Sequence, residues 1–169
     1  LSTVITGGPT TYNVAVSGMT GDGSVIATVP AGAATDGSNL SAASTSPVDN
    51  SVLYDTTSPS VTVDQAVGQN DPANASPINF RVVFSEAVTD FETADLGDVD
   101  LSAGSAPGAL TFVISGGPTI YNVAVSGMSG PGTVLASIPA SVAVDLASKP
   151  NGASTPIDNS VTFDATAPD

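Results

Sequence analysis

The sequence predicts an all-β chain of tandem two-sheet sandwich modules, one present as a C-terminal half and one complete with seven strands. Three observations lead there. Gly7–Met19, GGPTTYNVAVSGM, returns as Gly116–Met128, GGPTIYNVAVSGM, and the offset of 109 residues then holds without a gap to the end of the 169-residue chain. About half of the paired positions are identical, which marks internal duplication. The apolar residues are mostly Val, Ala and Ile in alternating runs broken by Gly, Pro and Asn, the pattern of short strands joined by turns.

Each strand of the complete module follows from period-two alternation. Ser60–Gln65 sets Val61 and Val63 against Thr62 and Asp64, and the polar segment Ala66–Pro77 is a loop. Ile78, Phe80, Val82 and Phe84 form the strongest apolar row, followed by the connection Glu86–Gly97. Asp98–Ser102 reads as a short strand with Val99 and Leu101 inward. Leu110, Phe112 and Ile114 end at Gly116-Gly117-Pro118; Tyr121, Val123 and Val125 end at the turn Ser126–Gly132. Val134, Ala136 and Ile138 stop at Pro139, and after a long loop Val161 and Phe163 close the set. Seven short strands in about this length predict an immunoglobulin-like sandwich.

The copy at the start of the chain has only the last four of these strands, near Thr3–Thr6, Thr11–Ser17, Ser24–Pro30 and Asn50–Asp55. The domain reading is therefore 1–55 as a half module, 56–59 as linker, 60–164 as the complete module and 165–169 as the start of a next linker. Tyr12, Val14, Val16, Val25 and Tyr54 are left without a facing sheet. Each such side chain kept wet forfeits about 1.5–3 kcal/mol. Leu1 is thus expected not to be a natural domain start, the missing strands coming from outside this chain. Pro59 and Pro168 stiffen the joints that follow each copy.

Charge narrows the partners. Sixteen acids face two bases, Arg81 and Lys149, for a net −14. Two bases cannot neutralise a phosphate track, so no nucleic acid partner is expected, and no anionic membrane surface. No apolar run is long enough for a membrane helix. Cys and His are absent, so nucleophilic triads and thiolate sites cannot be assembled. The chain is expected not to be an enzyme. Sparse aromatic residues also disfavour a carbohydrate-binding module, which stays open as an alternative.

Phe84-Ser-Glu-Ala-Val-Thr-Asp-Phe91, then Asp95-Leu96, resembles the bacterial Ig-like repeats of large cell-surface adhesins. The Tyr-Asn-Val-Ala-Val stretches and the closing Val161-Thr-Phe-Asp-Ala-Thr-Ala-Pro168 are similar to that family too. The resemblance implies a structural extension repeat in an extracellular, cell-surface stalk, with neighbouring modules or identical subunits as partners. It also implies structural Ca²⁺ near module junctions. The family's D-x-x-G-N loop departs here, as Asp36-Gly-Ser-Asn39 and as Asp145-Leu-Ala-Ser-Lys149-Pro-Asn151. Alternating strand directions put the start of the first strand at one pole with Glu86–Gly97, Ser115–Thr119 and Ala140–Asn159. That pole could gather Asp55, Asp90, Glu92, Asp95 and Asp145 into a junction Ca²⁺ site, since Ca²⁺ takes about 6–8 oxygens. Asp49-Asn50 and Asp158-Asn159 read as turn formers, and Tyr12 and Tyr121 as core tyrosines. If the chain is a whole protomer, its half module could instead be completed by a neighbour's strands, giving a filament.

Overall fold

Alternation sorts the side chains as expected, and no helix occurs among the described residues. The computed structural model describes residues 1–45, 49–92 and 95–166, so Pro168 lies outside the described residues. The chain divides into two units, Leu1–Thr57 and Ser58–Asp169.

The first unit holds two hairpin-like pairs. Strand β1 (Ser2–Gly7) pairs antiparallel with β2 (Tyr12–Ser17), and β3 (Gly23–Ile26) with β4 (Ser51–Tyr54). None of its described residues is buried. Its apolar side chains line one open groove of about 680 Å³, walled by Ile5, Val14, Val16, Val25 and Val29 among others.

The second unit contains β5 (Val61–Gln65), β6 (Ile78–Phe84), β7 (Val88–Thr89), β8 (Gly108–Gly116) and β9 (Ile120–Met128). It continues with β10 (Gly132–Leu135), β11 (Val144–Asp145), β12 (Thr155–Asp158) and β13 (Ser160–Phe163). Five strands form one sheet in the order β12-β5-β6-β9-β8, while β10 pairs with β13 and β11 with β7. Ile78, Phe80 and Val82 of the large sheet pack in one core with Val134, Ile138 and Val161 of the other layer. The arrangement is sandwich-like. Phe84, Phe91 and Tyr121 close one end of the core edge to face, with ring centroids 5.0–5.8 Å apart.

The duplication extends to hydrogen-bond register. Gly7 opposes Tyr12 as Gly116 opposes Tyr121, and Gly23 opposes Tyr54 as Gly132 opposes Phe163. One loop breaks the gapless register that the sequence suggests. Ser41 N–H donates to Ala34 O and Ser44 N–H to Val29 O; the matching donors in the second unit are Asn151 and Ser154, to Ala143 O and Ile138 O. These donors are offset by one residue more than the strands are. Register returns at Asn50 and Asn159, whose side chains donate to Ala27 O and Ala136 O. The second copy therefore carries one extra residue in its Asp145 loop.

Three expectations about strands are corrected. Asp98–Ser102 is not a strand: only the bridge of Asp100 with Ser137 forms. Side chains take the backbone donors instead, Asp98 accepting from Glu92 N–H and Asp100 from Ser102 N–H. The sixth strand ends at Leu135, although Ala136 and Ile138 stay buried. The long loop before the last strand contains β11 and β12, the latter parallel to β5. An exposed Thr-Pro-Ile-Asp run shows no alternation that could reveal it.

Candidate metal centre

Backbone bonds assemble one pole of the second unit. Ser85 N–H donates to Ser60 O, Val88 N–H to Pro118 O, and Gly152 N–H to Pro59 O. Pairing of β7 with β11 sets Val88 opposite Asp145. Tyr121 is buried beneath this pole and donates its hydroxyl to Val88 O at 3.3 Å; burial pushes its pKa up.

Asp145 is 4 % exposed. Its Oδ1 accepts from Ala147 N–H at 2.7 Å and Lys149 N–H at 2.9 Å, which holds the loop Asp145–Lys149 in shape. Ser148, at φ 63°, takes the left-handed turn there that glycine favours. The other oxygen, Oδ2, is buried with no hydrogen-bond partner. A carboxylate oxygen of Glu86 lies within 4.8 Å of an Asp145 carboxylate oxygen. An orphaned buried oxygen beside a second carboxylate is costly, because like charges repel and desolvation is uncompensated. A hard divalent cation repairs both defects, so the donor set fits Ca²⁺ chemistry.

Three of the other acids expected at the site fall elsewhere. Asp90, Glu92 and Asp95 do not share that cluster; they surround Asp98, which is 1 % exposed. Burial raises the Asp98 pKa, opposed by the Glu92 N–H bond and reinforced by the charges of Asp95, Glu92 and Asp90. Asp90, Asp95 and Asp98 line a cavity of about 280 Å³ with Ser141–Val144. In the first unit, Asp55 accepts from Thr57 N–H at 3.0 Å, a turn repeated by Asp164 and Thr166 at 2.9 Å. Sequence reading missed Glu86 and Asp98. Glu86 sits in the quoted Phe-Ser-Glu motif, whereas Asp98 was hidden by its placement in a strand. Asn50 and Asn159 donate their side-chain amides to Ala27 O and Ala136 O, each 23 residues away in sequence, so these bonds tie strands together rather than close the local turns expected.

Asp98 gives a pH prediction. Its folded pKa is raised above the unfolded value near 3.8, so the native state holds this proton longer. The contribution is absent well below that value and becomes destabilising as pH rises from it through the folded pKa. In urea melts from pH 3 to 7, Asp98→Asn removes this downward component, so the variant gains on the parent as pH rises. A difference that is constant with pH would contradict it.

Comparison with family models, with curated proteins and with solved structures finds no match to this chain. Fold and site together define an all-β, sandwich-like chain with an internal structural duplication and an acidic pole.

Proposed function

We propose that this chain is a non-catalytic extension segment of an extracellular stalk, formed by Ig-like repeats of a large bacterial cell-surface adhesin or fibre. One observation carries the reading. Strand β5, which opens the complete module, runs parallel to β12, and only Asn159 separates β12 from the closing strand β13. The module's chain therefore enters at one pole and leaves toward the other. Tension between its ends loads the β5–β12 hydrogen bonds in shear, so they must fail together. Modules strung in this way transmit force along the chain.

The test is direction-dependent pulling of single molecules. Handles at Ser58→Cys and Thr166→Cys should give a higher unfolding force than handles at Ser58→Cys and Ser85→Cys, which unzip β5 from β6. Equal forces would remove the mechanical reading.

The reading includes a structural Ca²⁺ at the Glu86–Asp145 pole. A second reading is favoured by the uncovered inner face of the first unit. There, strands from another polypeptide complete the half module and join chains into a filament.

A further inference from the structure

In the second unit β9 is bonded on both edges, to β8 and to β6. Among the described residues its counterpart β2 is bonded to β1 alone, which leaves one edge of Tyr12–Ser17 open. The same difference appears in exposure. Val14 is 44 % exposed where Val123 is 0 %, and Val52 is 67 % exposed where Val161 is 0 %. Val14, together with Val16 of the same strand, borders the groove of about 680 Å³. The complete module shows what such a face holds: β6, antiparallel, with Ile78 opposite Val125, Phe80 opposite Val123 and Val82 opposite Tyr121.

We propose that the open edge of β2 and the adjoining groove are an acceptor site for an extended polypeptide strand with the alternating pattern of Ile78–Phe84. The strand binds antiparallel to β2. By the internal repeat, its Ile meets Val16, its Phe meets Val14 and its Val meets Tyr12. Backbone bonds to the open edge supply affinity, and the apolar row filling the groove supplies register. Charge favours this occupant as well. The first unit carries Asp22, Asp36, Asp49 and Asp55 and no base, whereas Ile78–Phe84 carries a single charge, Arg81, which stays exposed on the outer face of its sheet. The inference deepens the second functional reading by naming the strand that completes the half module.

The test uses the full 169-residue chain and a synthetic peptide with the sequence of residues 76–86. Hydrogen exchange should slow saturably at amides of Tyr12–Ser17, with one peptide bound per chain. Val14→Asp should weaken binding by roughly tenfold or more, since it sets a charge against the apolar groove. Exchange in Val61–Phe84 should be unchanged in that variant, which shows that the second unit still folds. No slowing, or equal slowing by a scrambled peptide of the same composition, overturns the proposal. So does protection of β2 that grows with chain concentration in sedimentation-matched samples and resists the peptide, because a second copy is then the occupant. Peptide binding to a chain that forms no fibres would keep the acceptor site and discard the filament.

Discussion

Asn151→Leu should lower the stability of the second unit by about 3–5 kcal/mol in urea unfolding, the largest effect expected of any polar residue here. Asn151 is 2 % exposed and uses its whole amide. Oδ1 accepts from Val142 N–H at 2.9 Å and Ala143 N–H at 2.8 Å. Nδ2 donates to Pro139 O at 2.9 Å and Gly152 O at 2.7 Å. Leucine fits the volume but orphans two donors and two acceptors, each costing about 1–3 kcal/mol where water cannot replace the partner. Partial hydration near the loop surface keeps the total below the simple sum. Asn151→Asp tests the donors alone: it keeps both acceptor roles but turns a buried negative charge toward two carbonyls. Asn151→Ser should lose about half as much as leucine, because a hydroxyl still reaches a backbone donor. The first copy already shows that solution, with Ser41 Oγ accepting from Ala34 N–H at 3.3 Å. A leucine variant within about 1 kcal/mol of the parent would contradict this account.

What the sequence revealed follows from where period-two alternation operates. Ile78, Phe80, Val82 and Phe84 each bury one face of a paired strand, so their spacing alone locates β6 and the core. The repeat at Tyr12 and Tyr121 likewise announces equal registers, because a one-residue slip would reverse every side chain. Legibility ends where side chains replace the ladder. Val99 is buried as its spacing suggests, yet Asp98 and Asp100 spend their carboxylates on nearby N–H groups and leave no strand. The extra loop residue before Asn151 was invisible for a related reason. Asn151 and Ser41 do the same work with different groups, so identity does not align them. At the acidic pole, composition supplied the carboxylates but not their partners. Asp145 was recognisable from its loop, whereas its proximity to Glu86 depends on the two-residue pairing of β7 with β11.

Calcium should raise the melting temperature of the chain, and chelation should lower it. At a free concentration of about 100 times its dissociation constant, a ligand specific to the folded state adds about 2.7 kcal/mol. For a unit of this size that is a shift on the order of 10 °C. The physical source is specific: Asp145 Oδ2 is buried without a partner, and a Glu86 carboxylate oxygen lies within 4.8 Å of the same group. Without a cation this pair costs stability; with one, the cost becomes coordination energy. Asp145→Asn should therefore cross the parent. In chelator it is equal or more stable, since it lifts the repulsion while its remaining oxygen can still accept from Ala147 and Lys149 N–H. In Ca²⁺ it is less stable, because the response is gone. Glu86→Gln should blunt the response in the same way. Asp90→Asn and Asp95→Asn should leave it in place, as those residues border Asp98 instead. Identical melting in Ca²⁺ and chelator would remove the cation from this pole, and a response lost in Asp95→Asn but kept in Asp145→Asn would move it to the Asp98 cavity.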